Sequence, residues 1–318
     1  MPKTSKPRAG SLQYWPRKRA EKFLPSSNWK ALELKGNKGL LGFIGYKVGM
    51  KSAIVKDNTP DSLTKGKRIA IPVTLVELPP MKILSARFYK NSRVIADILI
   101  DNIDKELKKK IKLPKNKPSK KIEDIKDYDD VRVIVYSLAK QTSVKKTPDI
   151  VEIGLGGSLD EKTKFIQENF GKEISASNIF KAMQLVDLRG LTKGRGLVGP
   201  VKRFGISLRQ HKSEKGVRRP GNIGPWHPDN VTYRIAMAGQ LGMFSRIQYN
   251  GKIIELGKAK EKSINPKSGW HKYGNILTEY AIVAGSIQGP RKRQLLLTFP
   301  LRKTKKTEKK NYEVIKLD

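Results

Sequence analysis

Short stretches rich in β-branched and aromatic residues, separated by glycines and prolines, recur along most of this chain. Such stretches are typical of β-strands. The predicted strands lie at about residues 39–56, 69–79, 82–89, 94–100, 131–138, 184–189, 231–256 and 275–299. No internal repeat is visible. The pattern predicts an antiparallel β-barrel that is interrupted twice.

The first interruption is an α+β insertion near residues 81–180. Within it, Ser158 and Glu161 have the spacing of a capping box, which predicts a helix through about Phe170. Ser177 can cap a short second helix. The run KLPKNKPSKK at 112–121 reads as a polar linker.

The second interruption is the segment 189–228, which we call the basic arm. It has neither a helical period nor a sustained alternation, so it predicts no helix or strand. It contains ten Lys or Arg, eight Gly and one acidic residue, Glu214. Its ten large apolar side chains are too few to offset the entropy of fixing so long a backbone. We therefore expect the basic arm to be ordered by a partner.

The charge distribution divides the chain into five predicted parts. Residues 151–187 hold four basic and six acidic residues, and we expect this acidic island to face solvent or another protein. The parts are an extended basic N-terminal arm (1–35), a first part of the barrel (36–80), the insertion (81–180), a second part of the barrel with the basic arm (181–300) and a basic C-terminal tail (301–318).

Composition indicates a polyanionic partner. The chain of 318 residues has 66 Lys or Arg and 29 Asp or Glu, a net charge of +37. A fold tolerates such self-repulsion beside a counter-charge, and phosphate is the natural one. The absence of cysteine excludes disulfides, a thiol nucleophile and cysteine-ligated metals. Neither a secretory signal nor an 18-residue apolar run is present, which favours a cytoplasmic protein without a membrane partner.

The basic side chains of the arm are candidate phosphate ligands, because Lys and Arg bind phosphate and Arg can do so bidentately. A run of charge is usually a solvated face, but such faces alternate in sign and this one does not. Two histidines of the arm and the cluster Arg17-Lys18-Arg19 join the set as further donors. The candidates of the arm are Lys193, Arg195, Lys202, Arg203, Arg209, His211, Lys212, Lys215, Arg218, Arg219 and His227.

Trp226 lies between two prolines near the end of the arm. Tryptophan is usually a core residue. In a basic, glycine-rich setting it can instead stack on an unpaired base or pack where RNA strands cross. Trp15 beside the N-terminal cluster has the same character, whereas we expect Trp29 and Trp270 to be packing residues.

Gly194, Gly196 and Gly199 match a dinucleotide-binding pattern. That site needs a following helix and an acidic residue about 20 positions on. We expect Pro200 and Gly205 to break such a helix, and only Glu214 follows among cations. The glycines are then better explained by close approach of another backbone. We expect no cofactor and no small-molecule substrate.

No catalytic or metal constellation is visible. His211, His227 and His271 have no acidic residues beside them to orient metal ligands, and we expect His271 to be structural. The paired carboxylates Asp129/Asp130 and Asp160/Glu161 are expected at solvated helix ends. The sequence therefore predicts neither an enzyme nor a metal protein.

Several motifs, in order along the chain, closely resemble the archaeal form of the third universal protein family of the large ribosomal subunit. They include Ser11, Pro16–Ala20, Gly42–Met50, Phe180–Asp187, Thr192–Gly196, Lys202–Gly205, His211-Lys212, Arg219–Pro228 and Gly239–Met243. The similarity extends to about residue 300, and the tail after Pro300 matches no motif.

This resemblance implies a translation-protein-type β-barrel with an inserted α+β domain and long RNA-binding extensions. The family is seated on the 3′ part of large-subunit ribosomal RNA (rRNA), next to other ribosomal proteins. Its members assemble early, support aminoacyl-tRNA accommodation and catalyse nothing. Their central extension approaches the peptidyl transferase centre with a tryptophan at its tip, a position that Trp226 matches. Some relatives carry a modified histidine, but the position twelve residues before Trp226 is Glu214, so that modification is not transferred to His211.

Two other classes compete with a structural ribosomal protein. An RNA-modifying enzyme would need a catalytic carboxylate, cysteine or cofactor loop. An architectural protein that binds duplexes would present a basic helix or a wedge to a groove, whereas this arm is rich in glycine and carries a tryptophan.

Overall fold

The computed structural model describes residues 10–33, 35–112, 114, 122–125, 127–142, 144–262 and 264–317. Most of the predicted linker at 112–121 lies outside these residues, as do residues 1–9. The strands are β1 Gly39–Leu40, β2 Gly42–Asp57, β3 Arg68–Leu78, β4 Met81–Lys90, β5 Arg93–Leu99, β6 Asp130–Ser137, β7 Ile150–Gly156, β8 Leu185–Leu191, β9 Gly196–Val198, β10 Gly239–Leu241, β11 Ser245–Lys258, β12 Glu279–Ala284, β13 Gln294–Thr298 and β14 Tyr312–Leu317. The helices are α1 Trp29–Glu33, α2 Leu159–Asn169, α3 Pro200–Phe204 and α4 Lys305–Glu308.

The described chain divides into two compact units. Residues 10–22 and 191–245 form the arm unit, and residues 23–190 and 246–317 form the core unit. The arm unit is thus larger than the basic arm, because it also takes in the N-terminal segment and the chain returning from the arm.

The largest sheet has seven strands in the order β13-β8-β11-β12-β3-β2-β14, and β13 also pairs with β2. β2 is long enough to pair antiparallel with β3 along one edge and with β13 and β14 along the other. Its first half is buried, with Phe43, Ile44 and Tyr46 fully inaccessible. The prediction of a mainly β protein with antiparallel strands is confirmed.

A second sheet has five strands in the order β1-β7-β6-β4-β5. Helix α2 packs against β6 of this sheet. The predicted capping box is confirmed, because Ser158 Oγ accepts from the Glu161 N–H at 3.3 Å and the Glu161 carboxylate accepts from the Ser158 N–H at 3.2 Å. Four of the strands come from residues 81–156, and Gly39–Leu40 supplies the fifth.

The N-terminal arm is not extended throughout, contrary to the prediction for residues 1–35. Residues 29–33 form α1, which packs against β7. Trp29 and Leu32 are spaced by three residues, so they share one helix face, and both are buried. Trp29 and Trp270 are 5% and 8% exposed, which confirms them as packing residues. His271, in contrast, is exposed.

Several carboxylates are used inside the core unit. Asp130 begins β6 and forms ion pairs with Lys162 and Arg132, so its prediction as a solvated helix end is wrong. In the acidic island, Glu152 pairs with Arg87 and Arg132, and Asp187 is fully buried. The island is thus a solvent-facing surface only in part: Glu152 and Asp187 have internal partners, whereas its other acids, Asp160, Glu161, Glu168 and Glu173, are exposed.

Other local predictions differ from the structure at particular residues. Residues 231–238 do not continue the predicted strand, and β7 and β14 were not predicted. Ser177 does not cap a helix; it lies within a short 3₁₀ turn, Ala176–Asn178, and its hydroxyl donates to Glu279 at 2.9 Å. The C-terminal tail folds, since α4 precedes β14 and β14 pairs with β2.

The β2–β3 connection is organised by the buried carboxylate of Asp57. Its Oδ1 accepts from the Thr59 N–H at 2.9 Å, and its Oδ2 accepts from the hydroxyls of Ser62 and Thr64. Hydrogen bonds from Thr59 and Thr64 hold the pKa of this carboxyl well below its ordinary value. The ionised carboxylate therefore stabilises the folded loop.

We expect Asp57→Asn to lower the free energy of unfolding at pH 7 by about 1–3 kcal/mol, because hydrogen bonds to a charged acceptor are lost. Since the folded-state pKa is depressed, this contribution is full above the unfolded pKa of about 3.9 and declines as pH falls below it. Denaturant titrations of both proteins should show a smaller difference at about pH 3 than at pH 7. Equal differences at both values would contradict this role.

Candidate nucleic-acid interface

The arm unit is built on a short β-ribbon. β9 and β10 pair antiparallel, with Leu197 opposite Gln240. The Arg195 N–H donates to the Leu241 carbonyl at 2.9 Å, and the Thr192 N–H donates to the Phe244 carbonyl at 3.0 Å. The prediction that the basic arm contains no strand is therefore wrong. The pairing joins segments about forty positions apart, which no local pattern reveals.

The close backbone approach predicted for the glycines of the arm occurs at a different residue. Gly242 has φ +80°, and a Cβ there would lie 1.9 Å from the Lys193 carbonyl oxygen. A Cβ at Gly194 would instead meet the Met243 side chain, and a Cβ at Gly196 or Gly199 would have open space around it to 4 Å. The backbone explanation is thus wrong for Gly196 and Gly199, whereas the backbone of Gly194 does pass close to another backbone, since its Cα lies 3.0 Å from a Cβ placed on Gly242.

A helix of one turn follows the ribbon. Pro200 occupies the first turn of α3, where its missing N–H costs nothing, and Gly205 ends the helix with φ 69°. Pro200 therefore begins a helix that it was expected to break. Phe204 at the end of α3 is 8% exposed.

Arg203 ties α3 to the returning strand. Its Nε donates to the Gln240 carbonyl at 3.0 Å and its Nη1 donates to the Met237 carbonyl at 3.0 Å. Burial lowers the pKa of this guanidinium. Because both Nε and Nη1 donate to carbonyls of the returning chain, Arg203 holds the arm unit together and is a poorer candidate for a phosphate ligand than the exposed cations.

The N-terminal segment packs on the same helix. Arg17 Nη1 donates to the Arg203 carbonyl at 3.1 Å, and its guanidinium lies 4.2 Å from the centroid of the Phe204 ring. The Trp15 ring lies 6.2 Å from Phe204 and 5.9 Å from Tyr233. Trp15 and Arg17 thus have an internal role that the sequence did not predict.

We expect Arg203→Lys to loosen the arm unit, since a lysine cannot reproduce the two directed guanidinium bonds. The expected loss is about 1–3 kcal/mol of local stability. Hydrogen exchange at Gln240 and Leu241 would measure it, with the exposed neighbour variant Lys202→Arg as control. Unchanged hydrogen exchange in Arg203→Lys would contradict this stabilising role of Arg203.

The chain beyond α3 is largely exposed. Arg209 is partly buried, and its guanidinium donates to the carbonyls of Pro220 and Gly221. All residues from 221 to 234 are exposed. Trp226 is 83% exposed, so it contributes almost nothing to packing within this chain.

Most of the candidate residues project into solvent. Arg17, Arg203 and Arg209 are partly buried and bonded to backbone carbonyls. None of the exposed lysines and arginines in the set forms an ion pair with a carboxylate of the described residues. The exposed candidates are Lys18, Arg19, Lys193, Arg195, Lys202, His211, Lys212, Lys215, Arg218, Arg219, Trp226 and His227.

Exposed apolar side chains accompany these cations; they belong to the ten large apolar residues of the arm, but the sequence did not show that they are exposed. Leu197 is 82% exposed, Leu208 54% and Ile223 45%. A solvated loop normally has few large apolar residues and charges of both signs. The signal in the sequence was therefore the combination of ten large apolar side chains with a single acidic residue. A surface that combines cations with apolar and aromatic side chains fits the phosphates and bases of a nucleic acid.

The described residues include no group of three or more His, Asp or Glu side chains placed to hold a metal ion. None of the helices in this part of the chain combines the length and apolarity that a membrane crossing requires.

The sequence is similar to known proteins over its whole length. The family model described as Ribosomal protein L3 matches residues 1–318. Three relatives are each named large ribosomal subunit protein uL3. The relative from Methanobrevibacter smithii is 41% identical, covering 95% of this chain and 94% of its own. Those from Methanocaldococcus jannaschii and Archaeoglobus fulgidus are 38% and 36% identical, covering 94% and 95% of this chain and 92% and 94% of theirs.

Proposed function

Because this chain belongs to the ribosomal protein L3 family, we propose that it is a structural protein of the large ribosomal subunit and binds rRNA through its arm unit. Relatives at 35–41% identity carry the name of a large-subunit protein. The resemblance of the motifs to archaeal members agrees with the organisms of these relatives.

The observation that carries RNA binding is the set of exposed cations without carboxylate partners in the described arm unit. Residues 191–245 contain ten Lys or Arg and two acidic residues. Seven of these cations, together with Lys18 and Arg19, are the exposed lysines and arginines of the candidate set. Such a surface is unfavourable alone and becomes favourable when phosphates displace counterions.

The finer assignments are part of the same proposal. The pairing of β13 with both β2 and β8 would close the core sheet into a barrel, with residues 81–180 as its insertion. The arm would extend toward the peptidyl transferase centre with Trp226 at its tip, and the protein would join the particle early and contact neighbouring ribosomal proteins. This places it in the cytoplasm, on the ribosome.

Family membership favours this structural role over an RNA-modifying enzyme. The geometry of the arm favours folded rRNA over duplex DNA, since its exposed surface is an irregular loop rather than a helix.

Co-sedimentation tests the proposal. The chain should remain with purified large subunits after a wash at about 0.5 M salt, where loosely bound basic proteins dissociate. Recovery in the supernatant, or with DNA, would contradict it.

A further inference from the structure

One face of the core unit carries cations on neighbouring strands. In the antiparallel register, Lys56 on β2 lies opposite Arg68 on β3 and opposite Glu313 on β14. Opposite residues project from the same face, and like charges in that position destabilise a sheet. Lys56 and Arg68 are both exposed. Lys56 therefore has one like-charged and one oppositely charged cross-strand neighbour, whereas Arg68 faces only the like charge of Lys56 in its strand pair.

The connection between these strands adds further cations. Lys65 and Lys67 are also exposed. None of Lys56, Lys65, Lys67 and Arg68 forms an ion pair with a carboxylate of the described residues. The nearby Glu313 carboxylate accepts instead from the Asn58 side chain at 3.5 Å. We call residues 56–68 the basic hairpin.

The backbone of the basic hairpin is held in place from inside. The Asp57 carboxylate binds Thr59, Ser62 and Thr64 as described above. The Gly66 N–H donates to the Asp57 carbonyl at 2.7 Å, and the Asn58 N–H donates to the Asn311 carbonyl at 2.9 Å. A loop organised in this way loses little conformational entropy when it binds a partner.

The tip of the hairpin presents an apolar side chain. Leu63 is 98% exposed, although its neighbours Ser62 and Thr64 are tied to Asp57. The loop thus holds a leucine in solvent, with the exposed Asp61 two residues before it and the exposed Lys65 two residues after it.

We propose that the basic hairpin is a second RNA-contact surface, separate in sequence from the arm. Lys56, Lys65, Lys67 and Arg68 bind backbone phosphates, and Leu63 packs against a ribose or a base. This inference rests on the proposed function, since the RNA is that of the large subunit. A protein partner fits less well, because lysine is depleted in protein interfaces and a single leucine provides no apolar centre for one.

The test is the salt dependence of full-chain binding to a large-subunit rRNA transcript. Each phosphate contact contributes about 0.7–0.9 to the slope of log affinity against log salt. We expect the triple variant Lys65→Ala, Lys67→Ala and Arg68→Ala to make the slope shallower by about two to three. The matched control is Lys108→Ala, Lys109→Ala and Lys110→Ala, three exposed cations at the C-terminal end of a 3₁₀ turn of the core unit. An unchanged slope in the first variant, or an equal change in the control, would overturn the inference.

The same titration separates this inference from the proposed function. If the unaltered chain binds rRNA without salt dependence, the proposed function fails. If the slope falls only when cations of the arm are removed, the arm binds RNA and the hairpin inference alone fails.

A tethered probe distinguishes RNA from protein at this surface. The chain has no cysteine, so Leu63→Cys provides a single attachment point for a photo-crosslinker on a fully exposed site. In assembled subunits we expect a crosslink to rRNA. A crosslink only to another protein, or no crosslink, would contradict an RNA contact at the hairpin.

Discussion

Removing four cations from the exposed part of the arm should weaken rRNA binding more than removing any four cations outside the arm. The variant is Lys212→Ala, Lys215→Ala, Arg218→Ala and Arg219→Ala, all exposed and without a carboxylate partner among the described residues. We expect the salt slope to become shallower by about three to four and the affinity near 100 mM salt to fall by about two to three orders of magnitude. Filter binding of the full chain across a salt series would measure both quantities.

The control removes the same charge from the core unit. Lys105, Lys108, Lys109 and Lys110 are exposed, and their replacement by alanine changes the net charge equally. Circular dichroism should remain the same in both variants, because neither set contributes buried contacts. If the control loses as much affinity as the arm variant, net charge rather than the arm determines binding.

Trp226→Ala should impair function without disturbing the fold. Trp226 is 83% exposed, so the free energy of unfolding should change by less than about 0.5 kcal/mol. Stacking on a base is worth about 1–3 kcal/mol, so we expect rRNA affinity to fall by about 5- to 150-fold with an unchanged salt slope. In particles carrying this variant, we expect slower aminoacyl-tRNA accommodation.

Two further variants isolate the aromatic ring. Trp226→Phe keeps a stacking surface and should recover most of the affinity. Leu197→Ala removes a side chain of equal exposure, 82%, that cannot stack, and its effect should be smaller. Normal accommodation and affinity in Trp226→Ala would contradict the placement of this residue on RNA.

The strands of the core unit could be predicted from sequence because their signal is local. β2 and β3 are long runs of β-branched and aromatic residues between turn residues, and the ends of the predicted ranges, 39–56 and 69–79, differ from the observed ones by at most three positions. The capping box of α2 was equally local. β14 was missed because its charged, short sequence forms a strand only when β2 is beside it.

The candidate interface was predicted as a list of residue types, but the sequence could not sort them. Lys202 and Arg203 are adjacent and look alike, yet only Lys202 is exposed, since Arg203 meets carbonyls 34 and 37 positions away. Trp15 and Trp226 also look alike, yet Trp15 packs on Phe204. Long-range contacts make these distinctions, and no local pattern contains them.

The basic hairpin was not predicted, because its local composition is ordinary. Its cations share the segment with Asp57, Asp61 and several polar residues, a mixture that is typical of a solvated loop. The available signal was Asp57 followed by Thr59, Ser62 and Thr64, a spacing that lets one carboxylate organise a turn.

A high-resolution map of large subunits that contain this chain tests the central claim most directly. We expect residues 205–234 to be embedded in rRNA, with phosphates at hydrogen-bond distance from Lys212, Arg218 and Arg219 and a base stacked on Trp226. A map in which the arm lies in solvent, or in which these side chains meet only protein, would contradict it.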